Sequence, residues 1–510
     1  MQKITTTLLI GAVLNIHVHG QPTFQKYYYG VGNARNHIQE LFNGNILIGN
    51  GAPLVGTSIL DPEGNIVRVH SYLVDSFLAL QAVKSLSANE FVFAGGYHFP
   101  GLANQPVIGR MDSLGNVLRA NYYQLPVDGN NTAGDIELLR DSGVVAWNRY
   151  LSTSIFNSFF AIRTDAFDEL VWAKDFGQGG HFRFFKELPN GDLLAGVELD
   201  SGGAAILRMG PSGNIIWAKS YVRPNGTMLD GLIESDSSFT VIGHTDRAPG
   251  NGTKLFMMRL DGIGEVQWCK GYDAPSGWYT DRAKIDRTRD GNYAVLANII
   301  GHGRGKAFLM KTDLNGDTIW TRAAGVASNR YDVYDLLAHS DGGFLFNGQG
   351  YDLGIYLFKT DSLGHLPCPE HEQWYPVQVQ DLFPIDSSFT LTAIDGAVRY
   401  PATINDTIYD PVTVVEGCLI TEVPPHYART TRPRIRPNPT TGRFTVEFPD
   451  PLQASSYYSV YDSMGRLLYQ RPLPTGATLE DVDLSRFGRG TYTIRFTSPD
   501  GVQHERVVLE

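Results

Sequence analysis

A turn of the form Asp-x-x-Gly returns along this chain about every fifty residues, and that regularity restricts the fold more than any other feature. It reads Asp61-Pro62-Glu63-Gly64, Asp112-Ser113-Leu114-Gly115, Asp165-Ala166-Phe167-Asp168, Gly210-Pro211-Ser212-Gly213, Asp261-Gly262-Ile263-Gly264, Asp313-Leu314-Asn315-Gly316 and Asp361-Ser362-Leu363-Gly364. The starts lie 51, 53, 45, 51, 52 and 48 positions apart, so the unit is present in seven copies. Asp in first place and Gly in last is hairpin chemistry: the carboxylate bonds turn backbone, and Gly accepts a left-handed conformation. The strand after the turn repeats too, as Trp172-Ala173-Lys174, Trp217-Ala218-Lys219, Trp268-Cys269-Lys270 and Trp320-Thr321-Arg322. A second hairpin in each unit reads like Leu188-Pro189-Asn190-Gly191 and His339-Ser340-Asp341-Gly342. Four short strands per unit without helical periodicity is the pattern of propeller blades.

The ends of the repeat test that reading. After the seventh turn comes His365-Leu366-Pro367-Cys368-Pro369, a poor strand, so the last copy lacks its fourth. The N-terminal Phe24-Gln25-Lys26-Tyr27-Tyr28-Tyr29 matches the Trp-x-Lys position and has no third strand before it. The expectation is an all-β chain whose main domain is a seven-bladed β-propeller, with residues 24–29 closing the last blade. Such a clasp removes an open sheet edge. The rival is an open β-solenoid, which needs no clasp.

Residues 370–432 fall outside the repeat. Val377-Gln378-Val379-Gln380, Phe389-Thr390-Leu391-Thr392, Ala397-Val398-Arg399-Tyr400 and Val412-Thr413-Val414-Val415 alternate apolar with polar. They read as a small β-rich spacer packed under the propeller, followed by a linker holding Arg429, Arg432, Arg434 and Arg436. Of the three cysteines, Cys368 and Cys418 bracket the spacer and are the candidate disulfide in an oxidising compartment. Cys269 reads as a small buried hydrophobe.

The C-terminal 78 residues carry a different signature. Arg436-Pro437-Asn438-Pro439-Thr440-Thr441-Gly442 is followed by alternating Phe444, Val446 and Phe448. Val460-Tyr461-Asp462-Ser463-Met464-Gly465-Arg466 and Gly488-Arg489-Gly490-Thr491-Tyr492 come next, and the chain stops at Arg506-Val507-Val508-Leu509-Glu510. This order of motifs resembles the type A C-terminal sorting domain of type IX secretion cargo, with Asn438, Pro439, Gly442, Gly465, Arg466, Gly490 and Tyr492 as the matching residues. The resemblance covers residues 433–510. It implies an immunoglobulin-like sandwich of about seven strands, the type IX machinery as partner, and delivery to the cell surface or the medium. A lysine-rich end is common in the family, whereas this chain ends in Arg506 and Glu510. The blades lack the Gly-His and Trp-Asp pairs of WD repeats and the calcium loop of integrin-type blades. They resemble loosely defined propeller repeats of exported proteins, which implies no activity.

The N-terminus agrees with export. Met1-Gln2-Lys3 is basic, Thr5 to Leu14 is apolar but short of the roughly 20 residues of a membrane span, and Val18-His19-Gly20 offers a cleavage site. Residues 1–20 therefore read as a signal peptide cut between Gly20 and Gln21. The expected divisions are 1–20, a propeller over 21–369, the spacer over 370–432 and the sorting domain over 433–510. No other segment reaches membrane-spanning length. Net charge is −11 and spread along the chain, with no nucleic-acid footprint.

Chemistry is harder to read. Gly-x-Ser-x-Gly, His-Glu-x-x-His, phosphate-loop and dinucleotide patterns are missing. No cofactor is expected; calcium is the one ion left open, because Asp313-Leu314-Asn315-Gly316-Asp317 is faintly like a calcium loop. If the Trp-x-Lys strand is outermost, each following segment must cross to the innermost strand of the next blade. Those crossovers and strand starts carry Asn36, His37, Asp135, Arg183, Asp230, Trp278, Tyr279, Asp281, Tyr331 and Asp335, the candidate ligand face. Polar groups mixed with aromatics can hold a cation or stack on a sugar ring. The alternative is that the acidic groups bond local backbone. The functional expectation is a surface or secreted protein binding a glycan or a protein through one face of the disc. The alternative is a secreted polysaccharide hydrolase with paired carboxylates at the axis.

Overall fold

The structure is a computed structural model. It describes residues 23–510 apart from 30–36, 51–55, 74–77, 98–103, 127–130, 149–158, 177–179, 200–202, 223–225, 246–253, 274–279, 281, 302–303, 326–330, 351–353, 374–375, 403, 409–412, 417–432, 449–450, 453–455, 463–466 and 499–500. The chain divides into two compact units, residues 1–419 and 420–510. No α-helix occurs among the described residues, and no helix is long and apolar enough to cross a membrane.

The first unit is a seven-bladed propeller. Each blade is an antiparallel sheet with four strands, here a to d from the axis to the rim. The Asp-x-x-Gly turn joins c to d in blades 1 to 6 and follows c in blade 7. In the turn at Asp61, for example, one carboxylate oxygen accepts the amides of Glu63 and Asn65, and Gly64 N–H bonds the Asp61 carbonyl at 2.9 Å. Asp112, Asp165, Asp261, Asp313 and Asp361 do the same. Asp313 is thus a turn-forming carboxylate of this repeated kind.

The two sequence motifs meet in space. The fourth turn residue is glycine at φ near +80°, and the aromatic side chain of the preceding blade's d strand lies over it. A Cβ at Gly264 or Gly316 would come within 2.9 Å of Trp217 or 3.0 Å of Trp268. So glycine is required there twice over, by its dihedral and by the ring above it. A tyrosine further along strand d then donates to the same turn: Tyr72 to Gly115 O, Tyr221 to Gly264 O and Tyr272 to Gly316 O, at 2.6–2.9 Å. Blade 3 carries Asp168 instead of Gly, at φ 62°; its buried carboxylate takes Arg110 and Arg119 of blade 2.

The N-terminal strand Phe24–Tyr29 pairs with Gly354–Thr360 and is strand d of blade 7. It makes the same lock on blade 1, with Phe24 over Gly64 and Tyr28 donating to Gly64 O at 2.6 Å. The ring is closed by the clasp that the sequence predicts.

The spacer is placed differently from the sequence reading. Rather than packing under the disc, it runs round the rim and adds a fifth antiparallel strand to every blade. Glu372–Gln373 pairs with blade 6, Gln378–Asp381 with blade 5, Ile385–Ser388 with blade 4 and Ile394–Asp395 with blade 3. Val398–Pro401 then takes blade 2, Asn405–Ile408 blade 1, and Thr413–Glu416 the N-terminal strand in blade 7. This belt visits the blades in reverse chain order. Its 45 residues, 372–416, reach at most ~150 Å extended, enough to circle a disc about 48 Å across. The physical reason is the free edge of each d strand, whose unpaired backbone groups an added strand satisfies. The belt also uses the motif cation: Lys219 bonds Asp386 at 3.1 Å, Lys26 lies 3.0 Å from Glu416, Arg322 Nε forms an ion pair with Glu372 at 3.0 Å, and Lys174 pairs with Asp395. Cys269 is free and buried beneath the belt, with Leu382 N–H bonding its carbonyl; burial pushes its thiol up to about 12. Cys368 is disulfide-bonded; Cys418 lies outside the described residues, as do Gly20 and Gln21.

Among its described residues the second unit has seven strands, in sheets of three and four. Phe444, Val446, Tyr458, Val460, Tyr492, Ile494, Phe496, Val507 and Leu509 from both sheets share one core. Asn438 clamps the final strand: its side-chain amide donates to Arg506 O at 2.7 Å and its oxygen accepts Val508 N–H at 2.9 Å. Gly442, at φ 133°, leaves no room for a Cβ beside Ser485. Tyr492 donates to Gly488 O. Gly465 and Arg466 lie outside the described residues.

Candidate functional site: the axial network and the variable-loop face

Strand a of each blade borders the axis, and its N–H groups have no further strand to pair with. Counting back from the a–b turn gives two rings of seven side chains that follow from register alone. The ring nearer the strand starts holds His37, Ala82, Asp135, Phe184, Asp230, Lys284 and Asp335; the ring nearer the a–b turns holds Gln39, Lys84, Glu137, Lys186, Leu232, Asp286 and Leu337. Phe184 turns into the blade core.

The polar members of these rings close the inner edges. Asp335 of blade 7 accepts Ile38 N–H of blade 1 at 2.9 Å, and Asp230 of blade 5 accepts Ile285 N–H of blade 6 at 3.3 Å. Asp286 of blade 6 accepts Ala338 N–H of blade 7 at 2.7 Å, and Gln39 accepts Ser85 N–H at 2.6 Å. His37 spans three blades: Nδ1 faces Asp335 at 3.2 Å and Nε2 faces Asp135. Two carboxylate acceptors, one at each nitrogen, select the doubly protonated imidazolium. Burial opposes that charge, but Asp135 and Asp335 outweigh it and raise the His37 pKa above the ordinary value. Asp335 is correspondingly held low, against its burial, by His37. Lys84 bonds Glu137 at 2.9 Å, and Lys186 stands 3.9 Å from the same carboxylate; Glu137 is held low and Lys186 high, each against burial. Asp286 differs: burial dominates and pushes it up to about 6.

The structure therefore brings His37, Asp135, Asp230 and Asp335 together at the axis. Arg183 pairs instead with Glu198 on its own blade, and Tyr331 is fully buried in the blade 7 core, its hydroxyl 3.0 Å from that of Tyr27. Asn36, Trp278, Tyr279 and Asp281 lie outside the described residues. Lys84, Glu137, Lys186, Lys284 and Asp286 went unread in the sequence; Asn190-Gly191 and Asp290-Gly291 mark the last three by a constant offset, whereas the turns after Lys84 and Glu137 hold no Asn-Gly or Asp-Gly. Among the described residues no group of three or more His, Cys, Asp or Glu side chains is arranged to hold a metal ion.

The two faces of the disc differ in their connections. Antiparallel topology puts all a–b and c–d turns on one face and all b–c and d–a connections on the other. The first set is uniform at four or five residues; the second runs from two residues at 302–303 to eleven at 149–159. His37 stands at the start of strand a in blade 1, on the side of the variable connections.

Comparisons agree with this division of labour only at the C-terminus. The family described as the secretion system C-terminal sorting domain matches residues 434–510. No curated protein matches the chain. Among solved structures, a protein of unknown function from Bacteroides caccae is 14% identical, covering 54% of this chain and 92% of its own, with a TM-score of 0.34. YCF48 bound to D1 peptide is 12% identical over 68% and 97%, with a TM-score of 0.40. The polysaccharide lyase Uly1 is 10% identical over 66% and 90%, with a TM-score of 0.39. These likenesses are too distant to carry a functional argument. The C-terminal unit is a type IX secretion sorting domain, and it marks the chain for export across the outer membrane to the cell surface or the medium.

Proposed function

We propose that the exported disc is a binding module and that its working surface is the face of variable connections, where it takes a glycan or a protein ligand. The observation that carries this reading is the contrast in connection length: scaffold turns are held constant on one face, and length is free to vary on the other. Ligand contacts concentrate in such loops when a rigid scaffold holds them. The rim is covered by the belt, and the axial carboxylates already serve backbone amides, His37 and lysines. In this reading neither the rim nor the axis competes with the loop face for a ligand.

The test is thermal. The mature chain, residues 21–510, is melted against a panel of polysaccharides, simple sugars and divalent cations. A ligand held only by the folded state adds about 2.7 kcal/mol at one hundred times its Kd. One class of glycan should raise the propeller transition, and shortening 149–159 to a tight turn should abolish the shift. Phe167→Ser, on the opposite face and 75% exposed, should leave it intact. A flat panel would refute glycan binding and leave a protein ligand. Release of shortened chains from a shifting polysaccharide would establish the hydrolase reading instead.

A further inference from the structure

We propose that the face of uniform turns is the interface of a homodimer, in which a second copy of this chain docks turn face to turn face. The observation that carries it is a ring of exposed apolar side chains built by one repeated device. In blades 1 to 6, strand d holds one extra residue against strand c just past the c–d turn, a β-bulge at the same place each time. A bulge re-aims the side chain it adds. The added residue is Val67, Leu118, Val171, Ile216, Gln267 and Ile319 in turn, and all but Gln267 are apolar and 47–57% exposed. The belt stops short of them: on blades 1, 2 and 4 its strands pair from His70, Asn121 and Lys219 onward.

The adjoining turns add Leu114, Phe167, Ile263 and Leu314, and the a–b turn of blade 1 adds Phe42, at 43–78% exposed. A single exposed Leu needs no explanation, but ten such side chains on one face of a disc do. At roughly 150–250 Å² for a full large side chain, they leave on the order of 1,000 Å² of surface in water, against the ~800 Å² that each partner gives to a stable interface.

A second copy fits this face better than other occupants do. The turns are of nearly one length, so the face is level and has no long loop to hold a like face off. A two-fold axis lying in its plane carries one apolar ring onto the other, as a self-complementary dimer requires. Charges at the a–b turns are matched in place, as Asp141 with Arg163 at 2.8 Å, Asp236 with Arg259 at 3.0 Å and Asp290 with Lys311 at 2.7 Å. That pairing limits repulsion between like faces, and a chain of net charge −11 does not suit an anionic membrane surface. The dimer turns both variable-connection faces outward, so it is independent of what those faces bind.

Sedimentation and amide exchange of the mature chain, residues 21–510, over about 1–100 µM test the pairing. The mass should rise from monomer to dimer with concentration. Leu114→Glu combined with Phe167→Glu should weaken the dimer about a hundredfold and leave the melting temperature of the dilute protein unchanged. Phe383→Glu, at an exposed belt position, should leave the dimer intact. In the unaltered chain, exchange at Asp112–Leu118 and Asp165–Val171 should slow as concentration rises, while Gln378–Asp381 keeps its rate. That measurement keeps the test valid if the double variant fails to fold. A chain monomeric throughout, a dimer indifferent to the double variant, or protection that falls on residues 433–510 in place of the turns would each overturn the proposal. A monomer that floats with phosphatidylcholine vesicles would overturn it too, and give the face to lipid.

Discussion

Every blade has two sheet edges, one at the axis and one at the rim, and this protein closes them by opposite means. The rim has room, so a further backbone strand is laid along each d strand. The axis has none, so side chains reach across and cap the neighbouring blade's amides, as Asp335 does for Ile38 and Asp286 for Ala338. A backbone strand satisfies groups in pairs and needs no charge. A buried carboxylate brings charge that must itself be matched, and His37, Lys84, Lys186 and Lys284 are the matching cations. Edits at the axis should therefore cost more, and depend more on pH, than edits at the rim.

The largest effect is expected at Asp335. Asp335→Ala strips Ile38 N–H of its acceptor and leaves His37 with Asp135 alone. Removing one partner of a buried pair costs ~3 kcal/mol or more, read as a fall in the melting temperature of the propeller transition. The pH dependence has a fixed sign. The His37 pKa is raised in the fold, so its contribution is complete below its unfolded value and fades as pH rises through the raised one. The Asp335 pKa is lowered, so its share is complete above the ordinary carboxylate value and fades as pH falls through the lowered one. Both dependences should weaken in the variant. If Asp335→Ala costs no more than a rim substitution, the contrast between the edges is wrong.

How far the sequence discloses the two edges follows from the same physics. The blades are legible because a hairpin needs Asp and Gly at fixed places, and the clasp is legible because one strand is missing at one end and spare at the other. Axial residues are half-legible: Asp135, Asp230 and Asp335 stand out as acids near strand starts, but Lys84, Glu137 and Lys186 look like ordinary polar positions until counted back from the turn. The belt is hidden as a belt. Its strands are two to four residues long, and Ile385, Ile394, Val398 and Val415 face solvent, so their alternation carries no information about what lies on the other edge. The one available signal is acidic: Glu372, Asp386, Asp395 and Glu416 answer Arg322, Lys219, Lys174 and Lys26.

Asp286 sharpens the comparison from the other side, because its carboxylate is buried and forms no ion pair among the described residues. Its folded pKa of about 6 exceeds the 3.8 of a free carboxylate. An acid raised in the fold costs stability as pH rises from the lower value to the upper, and the cost is constant above. Asp286→Asn removes the charge. The new amide keeps one oxygen for Arg287 or Ala338 N–H but not for both, which returns part of the gain. The net expectation is a gain of ~1 kcal/mol above pH 6 and none, or a small loss, below pH 4. A gain independent of pH would mean that packing, not charge, sets the effect.

The smallest effect belongs to the rim. Lys219 bonds Glu265 of the next blade at 2.5 Å and Asp386 of the belt at 3.1 Å, but its partners are partly or largely open to water. Such pairs contribute about 0.5 kcal/mol and weaken with salt. Lys219→Met keeps the aliphatic stem, so the melting temperature should move little, and less again at high salt. The consequence should be local: faster amide exchange at Ile385–Ser388, where four residues pair with blade 4, and none at Gln378–Asp381 beside it. That locality follows from how the belt is held, by a few backbone bonds on each blade in turn, so that one stretch can lift while its neighbours stay seated. At the axis no such independence exists, since His37 alone ties blades 1, 3 and 7 together. A loss at Lys219 that spread round the whole belt would show the rim to be as cooperative as the axis.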